Sequence, residues 1–458
     1  MMIRNNRYTL LLTLTLLGGP ALWANAPDTL RLDMNGAVHE ALTHNANVTT
    51  ATDEVTRTRY NRQKAYGALL PQASLTASYG YTLKKQRVYF GSGEDDRPNP
   101  MSSFFPEEGI EMGQKHNLQG GVQASMPLVM PQLWASLKLE SDLVAAAIEG
   151  ARASRVGMVS QVRKAYMGAL LAQEAALVLR QSYEQMRQTE RDIDMKLKKG
   201  LVAEYDLVRM QAQVQNLLPE VLRAEEAVRL SRHKLAVLMN LSPSQPITLT
   251  ERLEQYERVV ELQLLSGMNE PSLSGNTTLR SLDLQGRQLE QSLKIKKMAY
   301  LPTLAASFSY SYSFASDRLT LDNGKRWSPH SMVGLSLTVP IFSGGSKYND
   351  IRATRLQLTQ LAQRRVQAER ELELALSSAQ SEQRSAAEVF LASRGAERSA
   401  QQGYEIALMR YSTGVGTLLE VNDAQVALLK AQLSLKQAIH SYMVATYSLD
   451  ELEGREQL

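Results

Sequence analysis

Two carboxylates pose the question of what this chain does. Glu420 and Asp423 stand three residues apart in "RYSTGVGTLLEVNDAQ" (410–425), just beyond a glycine-broken turn. Residues at i and i+3 share one face of a helix. Acids so placed could act as general acid and base, ligate a metal, line a pore or stabilise a helix start. Thr417-x-x-Glu420 is also a capping-box pattern, so capping alone could account for Glu420. Asp423 lies too deep in the helix for that role.

The rest of the chain offers this pair little catalytic company. Its 458 residues include no Cys and six scattered His, which nearly excludes a zinc site. No Ser-His-Asp, P-loop or Rossmann pattern stands out, and the 18 Met are scattered in a way that reads as packing. No cofactor is expected. Net charge is +4 with bases interspersed among acids, so there is no nucleic-acid footprint. Aromatics make up only 6%, a balance that favours long helices over a large mixed core. Residues 1–24 read as a secretory signal peptide, with Arg4 and Arg7, an apolar run from Tyr8 to Leu17 and a small-residue exit at Ala24. No later run is apolar enough for a transmembrane helix, so membrane residence would require a β-barrel or a partner.

The elements that position the acids occur twice. Set 214 residues apart, Gly200 falls on Gly414, Asp206 on Glu420 and Gln211 on Gln425. The helices beyond these turns share one heptad register. Leu207, Met210, Val214, Leu217, Val221, Ala224 and Val228 match Val421, Ala424, Leu428, Ala431, Leu435, Ala438 and Tyr442. Seven matching steps predict coiled-coil packing of a duplicated chain. Pro219 interrupts only the first copy and should kink it. Asp423 is matched by Arg209, so the two turns differ in charge.

Each half also carries a hairpin, about 71–127 and about 302–340, marked by Leu70-Pro71 and Leu301-Pro302 at entry and by Pro127 and Pro340 at exit. From Thr303 the alternation is strict, with Leu304, Ala306, Phe308, Tyr310, Tyr312 and Phe314 against Thr303, Ala305 and four serines from Ser307 to Ser313. Strands of about 9–13 residues with one apolar and one small polar face span a bilayer when tilted. Four strands cannot close a barrel, and an open edge is intolerable in lipid, so the chain must associate. A trimer would supply twelve strands. The 90–116 segment reads as a surface loop in which Glu94, Asp95 and Asp96 are solvated acids and Phe104 and Phe105 fold over the mouth. Residues 347–411 contain no Pro, and as one helix would reach roughly 100 Å. The expected order is a first repeat over 25–240, an equatorial connector over 241–275 and a second repeat over 276–458.

In this order of elements, and in "HNANV", "LLPQ" and "YSTGVGTLLEVNDAQ", the whole mature chain resembles the TolC-like outer-membrane efflux proteins. The resemblance implies a homotrimer in outer-membrane lipid, its twelve-strand barrel continued by an α-helical periplasmic tunnel. It implies an exit duct for efflux or type I secretion, partnered by a periplasmic adaptor and an inner-membrane pump of RND or ABC type. It also implies that Glu420 and Asp423 ring a constriction at the tip, with Tyr411 helping to hold the closed state. Some members have a basic residue where this chain has Gly416, so the closing network is expected to be different or weaker.

The fold expected is therefore mainly α with a transmembrane β part, and the function a non-enzymatic duct. A trimeric adhesin is the alternative, but such proteins put all four strands at the C-terminus. A periplasmic carboxylate hydrolase would need a compact pocket that long helices do not offer.

Overall fold

The computed structural model describes residues 29–89, 109–266, 270–319 and 327–456. The expected leader and the loop residues Glu94, Asp95, Asp96, Phe104 and Phe105 lie outside them.

A short strand β1 (Leu30–Leu32) precedes helices α1 (Met34–His44) and α2 (Ala46–Gly67). The "HNANV" segment is the junction of these two helices rather than the end of one. Asn45 makes the break: its side-chain oxygen accepts from the Asn47 N–H at 2.8 Å, and its amide donates to the Leu238 carbonyl at 2.8 Å. The first hairpin comprises β2 (Gln72–Tyr81) and β5 (His116–Val129), with a short antiparallel ladder between them of β3 (Gln86–Val88), just before the expected 90–116 loop, and β4 (Ile110–Met112), inside it. Helix α3 (Pro131–Lys198) then runs 68 residues and α4 (Glu204–Leu238) returns, continuing through Pro219.

A connector of β6 (Ile247–Leu249), α5 (Leu253–Ser266) and a 3-10 turn leads to α6 (Thr277–Met298). The second hairpin is β7 (Thr303–Ser316) and β8 (Trp327–Thr338). Helix α7 (Ser346–Ser412) runs 67 residues and α8 (Leu418–Glu453) returns. At 1.5 Å per residue, α3 and α7 are each about 100 Å long. Among the described residues no helix is long and apolar enough to cross a membrane.

The two hairpins form one antiparallel sheet of order β2-β5-β7-β8. Its register puts Leu75, Val122 and Tyr310 in one row and Ala73, Ala124, Phe308 and Val333 in another, on one face. The other face carries rows such as Ser78, Gln119, Ser313 and Ser328. The expected alternation therefore falls in register on common faces across both hairpins. None of the four strands contains Asp, Glu, Lys or Arg.

The main core lies at the equator, where β1, pairing in parallel with β6, and helices α1 and α5 pack against the long helices. Tyr166, Phe390, Ile439 and Tyr442 of the long helices are fully buried there with Leu253 and Val260 of α5. The Tyr166 hydroxyl donates to the Leu32 carbonyl at 3.1 Å. Burial and the Glu251 carboxylate push Tyr166 well above the usual phenol range. Arg152 of α3 closes the far end of α8, donating to the Gly454 carbonyl at 2.9 Å and the Gly275 carbonyl at 2.6 Å. The connector is thereby bound to both repeats.

Candidate functional site

Far from the sheet, α3 turns into α4 and α7 into α8. Gly200 and Gly414 take left-handed φ values of 71° and 79°, which suit glycine at a helix C-terminus. The next residue of each turn closes it back onto the helix. Leu201 N–H donates to the Lys196 carbonyl at 3.0 Å, and Val415 N–H to the Arg410 carbonyl at 3.0 Å. Lys196 and Arg410 thus hold equivalent places in the duplicated turn, and they are used differently.

In the second turn the Thr417 hydroxyl accepts from the Glu420 N–H at 3.3 Å, an N-cap for α8. The Glu420 carboxylate lies 3.4 Å from the Arg410 guanidinium and is exposed. The Gly416 N–H also donates to the Arg410 carbonyl, at 2.9 Å. A Cβ on Gly416 would sit 2.9 Å from the Arg410 Cβ, so a basic residue cannot occupy this turn without a shift. The tip cation instead comes from the end of α7. In the first turn Ala203 offers no side-chain cap, and Asp206 is half-buried with its N–H bonded to the Ala203 carbonyl at 3.1 Å. No ion pair or hydrogen bond joins Asp206 to Glu420 or Asp423 among the described residues.

Tyr411 bridges the two helix pairs. It packs between a cluster of Met186, Ile193, Met210 and Leu418 and a second of Tyr404, Ala407 and Val421. The Lys196 ammonium lies 4.7 Å from its ring centroid, a cation–π contact between α3 and α7. Farther up the same helices, Gln185 of α3 donates to the Tyr404 hydroxyl at 2.6 Å, and burial pushes Tyr404 above the usual phenol range. Lys196, Arg410 and Gln185 were not legible as site residues. The 214-residue offset pairs Lys196 with Arg410, but nothing local tells which aromatic ring or acid each one meets.

Asp423 is fixed by the packing of α8 on three sides. Gln425 donates to the Ser182 carbonyl of α3 at 3.5 Å, and Val421 packs with Tyr404 and Ala407 of α7. Lys436 pairs with Glu254 of α5 at 3.0 Å and Glu174 of α3 at 3.7 Å. Val421, Leu435 and Tyr442 of the expected seam are buried. The stripe left open is Asp423, Lys430 and Gln437, exposed at successive heptad steps and turned away from α5. Asp423 makes no ion pair among the described residues.

The outer membrane efflux protein family matches residues 37–241 and 270–455. The outer membrane protein TolC of Vibrio cholerae is 24% identical over 402 residues, 84% of this chain and 82% of that one. The outer membrane efflux protein BepC of Brucella suis is 29% identical over 164 residues, 36% of this chain and 35% of its own length. Among solved structures, the CmeC outer membrane channel of Campylobacter jejuni superposes with a TM-score of 0.71 at 18% identity, covering 92% of this chain and 85% of that chain. The open state of the Neisseria gonorrhoeae MtrE channel does so with 0.70 at 16% identity, covering 92% and 88%. These likenesses carry the long-helix barrel fold. With the family match running through both halves, the two tip turns and the four-stranded sheet included, the chain belongs to the outer membrane efflux protein family.

Proposed function

We propose that three copies of this chain close the four-stranded sheets into a twelve-strand outer-membrane barrel, continued by a periplasmic helical tunnel narrowed at the α7–α8 turn. The family acts in efflux across the outer membrane and catalyses no reaction. The energy therefore comes from partners, a periplasmic adaptor and an inner-membrane pump of RND or ABC type. The duct has two repeats, over 25–240 and 276–458, with 241–275 as the equatorial connector. Asp423 lines the constriction; Glu420, whose N–H is taken by the Thr417 cap of α8, pairs with Arg410 beside it. Tyr411 with Lys196, and Arg410 with Glu420, hold the tip closed.

The observation that carries this reading is the open stripe of α8. Its other sides are covered by α3, α7 and α5, so a wall built of these helices turns Asp423 to the lumen. A ring of carboxylates favours cations. Purified trimer in planar bilayers under a KCl gradient should be cation-selective, and Glu420→Ala with Asp423→Ala should lower that selectivity. Unchanged selectivity would take both residues off the water path and leave Glu420 to the helix start alone.

A further inference from the structure

We propose that Lys430 forms a second, positively charged ring in the same tunnel, so that the duct passes anionic as well as cationic solutes. The inference rests on the duct reading and adds the charge class of what the duct carries.

Lys430 lies one heptad beyond Asp423, about 10 Å along α8 toward the equator. Both are exposed on the side of α8 opposite Gln425 and Lys436, which meet α3 and α5. Lys430 forms no ion pair among the described residues. Lys436, six positions on, shows what a lysine does on the covered side of the same helix: it is buried and held by Glu174 and Glu254. An exposed lysine with no partner, on the same stripe as an exposed acid with no partner, is a charge presented to water.

Beyond Lys430 the open stripe of α8 continues with Ser434, Gln437 and Ser441, all uncharged. A cavity on the face of the α7–α8 pair away from α5 is lined by Ser385, Val389, Gln437 and Ser441, with Glu382 as its acid. The contact of Gln383 with Thr446 puts Glu382 about 24 Å beyond Lys430. The small, mainly polar face of the sheet, with Asn117, His330 and Met332 among its Ser, Thr, Gln, Gly and Ala, has no Asp, Glu, Lys or Arg. At the tip, Glu420 is offset by Arg410. Along the open stripe of α8 the unpaired charges are then Asp423 and Lys430, equal in number and opposite in sign. The acid ring alone would repel anions, and the lysine ring directly behind it lowers that barrier.

The test is the cation-to-anion permeability ratio of the full-length trimer in bilayers, from reversal potentials in a KCl gradient. Lys430→Gln should raise the ratio about twofold or more, and Lys430→Arg should leave it unchanged. Asp423→Asn should move it the opposite way. If Asp423→Asn lowers the ratio and Lys430→Gln does not raise it, the lysine ring is overturned and the constriction reading stands. If neither changes it, the tip reading itself fails. Lys430→Cys, in a chain with no other cysteine, gives a second measurement. A negatively charged methanethiosulfonate should alter the conductance of open channels. An unaltered conductance would place residue 430 off the water path.

Discussion

A side chain at Gly416 would have to pass between the Arg410 Cβ, 2.9 Å away, and the Tyr411 nitrogen, 3.1 Å away. This close approach, and not a loss of function, accounts for the glycine where a basic residue was looked for. Adding one methyl there forces the turn apart, at a cost of about 1–3 kcal/mol for an overpacked site. Gly416→Ala should therefore let trypsin cut after Arg410 about fivefold faster or more, because cleavage follows the population of the opened turn. Cutting after Lys199, in the equivalent first turn, should not change and serves as the internal reference. An unaltered rate at Arg410 would mean that the turn has slack. At this scale the sequence was half legible. The duplication located the turn and its acids. The partners of Tyr411 and Glu420 were hidden, since the Lys196 contact joins residues distant in sequence and the Arg410 pair crosses a turn without periodicity.

The two turns share their closing hydrogen bonds and differ in how the returning helix begins. Helix α8 starts with Thr417 bonded to the Glu420 N–H, whereas α4 starts at Ala203 with no side-chain cap and has Glu204 and Asp206 in its first turn. Acids near a helix start offset its dipole, but they do not replace the lost acceptor. Thr417→Ala should cost about 1 kcal/mol locally. Amide exchange over Leu418–Val421 should then quicken about fivefold, while the start of α4 stays as it was. Equal exchange with and without the hydroxyl would mean that packing of Leu418 and Val421 alone holds this end. The helices themselves were legible almost throughout, because a heptad repeated through both halves has no other stable packing. Three features were not. The Asn45 break depends on the remote Leu238 carbonyl, β1 is only three residues long, and β3 and β4 are equally short, β4 lying in a stretch whose composition reads as loop.

For the whole molecule, the unfinished part is the sheet. β2 and β8 are its two edges, and each presents unpaired backbone groups that lipid would not satisfy. Closure from within one chain is blocked by distance. Three inter-strand steps separate the edges, about 14 Å, while a disulfide needs Cα atoms about 4.4–6.8 Å apart. Any disulfide between β2 and β8 must therefore join two copies, and the absence of native cysteine makes such a bond easy to detect. Thr76→Cys on the polar face of β2, combined in turn with Cys at Ser328, His330, Met332 or Gly334 of β8, samples the register in two-residue steps. One combination, or two adjacent ones, should give covalent dimer and trimer after oxidation in the membrane, with no species above the trimer. Continuous higher ladders would point to an open assembly. A cross-linked monomer would show that the edges meet within one chain, and silence along the whole scan would remove β2–β8 pairing as the way the barrel closes.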